Sequence, residues 1–234
     1  MKGRALTIVL LGVGLLAAPL AAKRQPVRLS PNPSAIVAAE SAFNRLAREK
    51  GQWTAFRETA APEAVMFVPQ KVLAKDWLKK RADPPKSVTW QPQKIWVSCD
   101  GRTAASTGAW QRPDGSQGYF TTIWKLDDKA RWYWVLDHGD ARAQVPKAKA
   151  RADDDDDSGV EGKVAVCKRG VGAPAQARGP RGERKEDARD VPHVDESLLW
   201  DYDVKPDNSR EVRVRVWNGS VYDLVIDDKV AASN

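Results

Sequence analysis

His138 and Asp137 are the side chains whose types best suit acid–base chemistry. His138 is one of 2 histidines in the 234 residues, and an imidazole with a pKa near 6.5 exchanges protons readily at neutral pH. Both residues end a strand-like run, in which alternate side chains point to opposite faces. They therefore form no catalytic pair unless a β-bulge reverses the alternation. His138 or Asp137 could act as a base, but a structural histidine is the more common outcome, and we favour a protein without catalysis.

Aromatic side chains are expected to gather on the same face as His138. The chain carries 10 Trp, 4 Tyr and 4 Phe, and alternation puts several of these rings on one side of the predicted sheet. The predicted pocket is lined by Trp53, Phe56, Phe67, Trp110, Phe120, Trp124, Trp134 and His138. A solvated surface rarely carries so many indoles. This face therefore either holds a planar or apolar ligand or forms ordinary core.

The elements that must position these residues follow an α+β order. A helix is predicted to begin at Ser34, an N-cap type, and to stop at Gly51, because apolar residues recur between them at helical spacing. Short helices are expected around Trp53 and over residues 75–81. Strands follow between residues 87 and 138, separated by turn signals. This order predicts helices packed on a strongly curved antiparallel sheet.

A small C-terminal antiparallel β-sheet is predicted within residues 161–234, with a mobile loop at 169–194. Apolar and charged residues alternate along its strands, and Asn218-Gly219 is typical of a hairpin turn. The predicted cross-strand pairs are Val204–Val212, Asp203–Arg213 and Asp201–Arg215. This register pairs apolar residues with each other and opposite charges with each other.

Residues 1–22 are typical of a secretory signal peptide. Lys2 and Arg4 precede an apolar run of about 12 residues, and small alanines follow. A helix that spans a bilayer needs about 20 residues, so we expect cleavage rather than a retained anchor, and no stable membrane insertion. The mature protein would then be periplasmic or secreted, from a bacterium. A main domain is expected over 30–141 and a charged linker over 142–160.

The cysteines, the net charge and an acidic run limit the kinds of bond and binding site that the chain can form. Cys99 and Cys167 are the 2 cysteines; in an oxidising compartment they either form a disulfide or stay free. Residues 153–157 are contiguous aspartates rather than the spaced ligands of a calcium loop, so no metal or cofactor is expected. The net charge of +7 comes without a basic stripe with interleaved aromatics, which argues against nucleic-acid binding.

Six short segments carry a family resemblance. They are residues 38–43 (AAESAF), 53–56 (WTAF), 61–67 (APEAVMF), 107–110 (TGAW), 119–124 (YFTTIW) and 132–139 (WYWVLDHG). Over residues 34–141 the chain resembles the nuclear transport factor 2-like (SnoaL-like) superfamily, particularly its small bacterial members of unknown function. The resemblance implies a cone-shaped, cystatin-like barrel with a pocket in its concave face. It also implies a homodimer through the outer sheet face, and enzymes of this superfamily place an Asp, His or Tyr in the cone for proton transfer.

Three functions follow from these observations. We favour an exported protein that binds a small apolar or aromatic molecule in the cone without catalysis. An isomerase or dehydratase that uses His138 or Asp137 as acid or base is the first alternative. The second alternative is an envelope protein-interaction module, in which the C-terminal sheet recognises a partner.

Overall fold

A computed structural model of the chain describes residues 30–141, 159–167 and 196–232. The predicted signal peptide, most of the predicted linker and the predicted mobile loop lie outside the described residues. Within the described residues, the helices are α1 (Pro33–Lys50), α2 (Gln52–Thr59) and α3 (Ala74–Leu78). None of them is long and apolar enough to cross a membrane.

The first helix begins slightly earlier than the sequence predicts. Asn32, rather than Ser34, is the N-cap, and its side chain accepts a hydrogen bond of 3.0 Å from the Ser34 backbone N–H. Pro33 fits the first turn because a helix leaves that N–H unpaired in any case. Gly51 ends the helix with φ +108°, a conformation that side chains with a Cβ rarely adopt.

A large sheet forms the body of the molecule. Its strands are β1 (Ala60–Phe67), β2 (Lys71–Leu73), β3 (Thr89–Val97), β4 (Thr103–Gln111), β5 (Gln117–Leu126), β6 (Trp132–Ala141) and β7 (Glu161–Val164), in the spatial order β2-β1-β6-β5-β4-β3-β7. The neighbours are antiparallel except for β1–β6 and β3–β7, which are parallel. Bulges in β3 and β6 bend the strands, and α1 and α2 pack on the concave side. The predicted α+β class, with helices on a curved and mainly antiparallel sheet, is confirmed.

Strand β7 belongs to this large sheet and not to the predicted C-terminal sheet. It runs parallel to β3, and the Ala165 N–H that follows it donates to the Val97 carbonyl at 2.9 Å. Cys99 and Cys167 form a disulfide directly after these two strands. The boundary that the sequence analysis places at 161 therefore does not separate two sheets.

The second sheet contains β8 (Leu198–Val204), β9 (Arg210–Trp217) and β10 (Tyr222–Val230), antiparallel in the order β10-β9-β8. Its predicted register is wrong by two residues, because Val204 pairs with Arg210 and Asp201 with Arg213. A short turn closes the hairpin, with Asn208 at φ +63°, instead of the longer loop that the prediction needs. A shift of two positions keeps every side chain on its predicted face.

The second sheet covers the outer, convex face of the large one. Val212 and Val214 are fully buried in the same core as Ile123 of β5. The Thr121 hydroxyl donates to the Asp228 carboxylate at 2.7 Å across this contact. The chain's own C-terminal strands therefore pack on the outer face through which a homodimer is expected from the sequence, and the homodimer stays a prediction.

Candidate functional site

A β-bulge at Val135 decides which side chains enter the cone. Ile123 pairs with Leu136, but the next pair is Trp124 with Trp134, so Val135 has no partner in the ladder. The extra residue reverses the alternation for the rest of β6. Asp137, opposite Thr122, consequently lies on the concave face. His138, opposite Thr121, points to the convex face instead of the predicted concave one, although it still borders the cavity.

His138 lies between the two sheets. It is 2% exposed, and its Nδ1 accepts a hydrogen bond of 3.1 Å from Arg210 Nε. Burial, together with the positive charge of Arg210, lowers the pKa of His138 to about 3. The imidazole is therefore neutral at physiological pH, with its proton assigned to Nε2, 3.8 Å from Asp228 Oδ2. This environment is typical of a structural histidine and not of a base that contacts a ligand.

The concave face and the helices enclose a cavity of about 720 Å³. Aromatic rings form one part of its wall: Phe43, Trp53, Phe56, Phe67, Trp90, Trp110 and Phe120. Charged residues also line it: Lys86, Arg112, Asp114, Asp137, Asp140 and Arg210. A volume of this size falls within the roughly 300–1,000 Å³ typical of small-molecule sites. The side chains of the cone thus leave room for a ligand.

Six of the predicted pocket residues border this cavity: Trp53, Phe56, Phe67, Trp110, Phe120 and His138. Trp124 and Trp134 do not, because both are fully buried in the core. The Trp134 indole N–H donates to the Thr59 hydroxyl at 3.0 Å, which ties β6 to the end of α2. These two indoles hold the helices on the sheet instead of contacting a ligand.

Trp110 is held against the wall by a glycine beneath it. A Cβ at Gly118 would lie 2.3 Å from the Trp110 ring, so the indole can lie flat on the sheet only because that side chain is missing. Its N–H donates to the Tyr119 carbonyl at 2.9 Å. The Arg112 guanidinium covers the ring, 4.7 Å from its centroid, an arrangement that a cation and an indole favour.

Glu40 is a buried carboxylate that accepts a hydrogen bond from the cavity residue Trp90, and the sequence analysis missed it. It is 1% exposed, and its carboxylate accepts hydrogen bonds from Ser106 Oγ at 2.5 Å and from the indoles of Trp90 and Trp124 at 2.8 and 3.1 Å. Burial raises its pKa, although these three donors oppose the shift. Its position four residues after Ile36, on the buried stripe of α1, was the available signal.

Asp137 is an acidic residue that lines the cavity from β6, as Asp140 also does. The Thr122 hydroxyl donates to its Oδ2 at 3.1 Å. Burial raises the pKa of Asp137 to about 7; the charge of Glu40 acts in the same direction, whereas the Thr122 hydrogen bond opposes it. A carboxyl with a pKa near neutrality can donate or accept a proton at physiological pH. In the described part of the chain, no three His, Cys, Asp or Glu side chains converge as ligands for a metal.

No protein-family model matches this sequence, and no curated protein matches it. Solved structures similar to it include a nuclear transport factor 2-like protein of unknown function from Shewanella baltica, with 16% identity over 47% of this chain and 94% of that one (TM-score 0.36). Another is a nuclear transport factor 2-like superfamily protein from Salmonella enterica, with 15% identity over 50% and 95% (TM-score 0.35). A third is the CaMKII hub of S. rosetta, with 21% identity over 49% and 100% (TM-score 0.35). In its motifs and its helix-covered curved sheet, the part of the chain over 34–141 is similar to nuclear transport factor 2-like proteins.

Proposed function

We propose that this protein binds a small, mainly apolar or aromatic molecule in the cavity of its cone. The observation that carries the proposal is the unfilled volume of about 720 Å³ with its wall of aromatic rings. Binding sites for small molecules are typically concave and apolar, with a few polar groups that orient the ligand. Thr122 and Asp137 supply such groups on the sheet.

The aromatic side chains that line the cavity also pack against one another, which holds them in place before a ligand binds. The ring of Phe43 packs edge-on against Phe56 and Trp90, with centroids 4.8 and 4.7 Å away. Trp53 stands in the same relation to Phe56 at 5.7 Å. Aromatic pairs in this geometry stabilise each other, so little side-chain freedom remains to be lost when a ligand enters.

Binding can be tested with N-phenyl-1-naphthylamine, a neutral aromatic probe whose fluorescence rises when it leaves water. Val88 borders the cavity, and the Val88→Trp variant would place an indole where the ligand should lie. We expect saturable binding to the native protein and at least a tenfold loss of affinity in this variant. Val221→Trp is the matched control, because Val221 is 57% exposed and lies outside the cavity. Absence of saturable binding to the native protein, or equal effects of both substitutions, would contradict the proposal.

We also propose that the protein is exported, with residues 1–22 removed. The Cys99–Cys167 disulfide supports this, because disulfides persist mainly in oxidising compartments. Expression of the full chain in a bacterium, followed by fractionation and mass spectrometry of the intact protein, tests the idea. A full-length product in the cytoplasm would contradict it.

The second alternative, in which the C-terminal sheet recognises a protein partner in the envelope, stays a prediction.

Proton transfer by Asp137 is the second candidate function. The observation that favours it is a carboxyl in an aromatic cavity with its pKa raised to about 7. Exchange of the α-protons of 2-tetralone, an aromatic ketone, into deuterated buffer can be followed by NMR without knowledge of the natural ligand. We expect the native protein to accelerate this exchange and Asp137→Asn to abolish the acceleration. Equal rates for the two proteins would exclude this role.

A further inference from the structure

Arg210 brings a cation from the second sheet to the cavity of the first. It is the first residue of β9, is 7% exposed and borders the cavity. Its Nε donates to His138 Nδ1 at 3.1 Å and its Nη2 to the Gly139 carbonyl at 2.9 Å. The guanidinium also lies over the Phe67 ring, 5.0 Å from the centroid. These contacts hold it in one orientation.

The positive charge of Arg210 has no close counter-ion among the described residues. No carboxylate there lies within 4.0 Å of its nitrogens, whereas Arg213 on the same strand bonds Asp201. Asp140 acts on it only from a longer distance. A buried charge without a partner is strongly unfavourable, so this arrangement is expected where a ligand supplies the opposite charge.

The guanidinium also retains hydrogen-bonding capacity. It carries five N–H bonds; one is used by His138, one by Gly139 and one by a long contact of 3.5 Å to the Pro69 carbonyl. The terminal nitrogens Nη1 and Nη2 therefore each keep one N–H without a partner in the described part of the chain. Two such donors on one planar group match the two oxygens of a carboxylate or sulfonate.

We propose that Arg210 is an anion-binding residue, so that the natural ligand is an apolar or aromatic body that carries an acidic head group of the carboxylate type. The head group lies at Arg210 and the body lies against the aromatic wall. This inference rests on the proposed binding function. Lys86 and Arg112 also line the cavity, but so do Asp114, Asp137 and Asp140, so the site for the anion is assigned from Arg210 and not from the net charge of the wall.

Two fluorescent probes that differ by one sulfonate separate the two proposals. 8-Anilinonaphthalene-1-sulfonate is N-phenyl-1-naphthylamine with a sulfonate added. We expect Arg210→Gln to weaken binding of the sulfonate at least tenfold and binding of the neutral probe less than twofold. Arg213→Gln is the matched control and should change neither affinity, because its side chain points to solvent from the same strand.

The native protein provides a test that does not depend on how the variants fold. 2-Naphthoate should displace the bound sulfonate probe at least tenfold more effectively than 2-naphthalenemethanol, which has a similar body without the charge. Equal displacement, or an equal effect of Arg210→Gln on both probes, would overturn the role of Arg210 while the binding function stands. If neither probe binds the native protein, the proposed function fails and the anion site fails with it.

Discussion

Replacement of Asp137 by Asn should make the protein more stable at alkaline pH and remove part of its pH dependence. An Asp in an unfolded chain has a pKa of about 3.9, whereas burial raises the pKa of Asp137 to about 7 in the folded state. The folded protein therefore holds this proton more tightly than the unfolded chain. The protonated carboxyl of Asp137 makes its full contribution to the free energy of unfolding below about pH 4. This contribution is lost as the pH rises from about 4 to about 7.

The two pKa values differ by about 3, and each unit corresponds to about 1.4 kcal/mol. Ionisation of Asp137 should thus lower the free energy of unfolding by about 4 kcal/mol over the whole range, and by about 3 kcal/mol between pH 5 and pH 8. Asn is close to Asp in size and can still accept the Thr122 hydrogen bond, so the substitution removes the charge with little change in packing. Glu40 is present in both proteins, and its direct contribution largely cancels in the comparison.

Urea unfolding at pH 5 and pH 8, followed by tryptophan fluorescence, measures this difference. The free energy of unfolding of Asp137→Asn minus that of the native protein should rise by about 3 kcal/mol from pH 5 to pH 8. Asp203→Asn, at an exposed position, serves as the control and should follow the native profile. Parallel pH profiles for native protein and Asp137→Asn would refute the raised pKa of Asp137 and the burial that causes it.

Three further predictions concern stability measured by urea unfolding. Glu40→Ala should cost about 3 kcal/mol or more, because it leaves three buried donors without their acceptor; a loss below about 1 kcal/mol would contradict that network. Replacement of Cys99 and Cys167 by Ser should cost about 4 kcal/mol in the chain-entropy model, given their separation of 68 residues, and an unchanged midpoint would show that the disulfide does not form. Asp201→Asn should cost about 1 kcal/mol, since Asp201 bonds two arginines, whereas Asp203→Asn should stay within about 0.5 kcal/mol; equal losses at the two positions would favour the register predicted from the sequence, in which each aspartate faces an arginine.

Much of the fold could be predicted because its signals are local. Helical spacing and the stop at Gly51 define α1, and Asn218-Gly219 defines the β9–β10 hairpin. The register of β8 against β9 could not be predicted to the residue, because a shift by two positions keeps every side chain on its face. Cross-strand charge pairing pointed to the wrong register, since the structure sets Asp203 opposite Glu211 rather than Arg213. Turn geometry at Asn208 decided between the two registers.

The candidate site depends on features that local sequence patterns do not predict. The sequence by itself determined that a sheet rich in indoles would meet helices and that Asp137 and His138 would point in opposite directions. Only the tertiary structure decided which of them points to the concave face, because one unpaired residue at Val135 reverses the alternation, and nothing in the sequence of β6 marks it. The sequence could not reveal the partners of Glu40 and Arg210 either, since Ser106 lies 66 positions from Glu40 and His138 lies 72 positions from Arg210. Such contacts form only when the helix and the second sheet pack on opposite faces of the same strands.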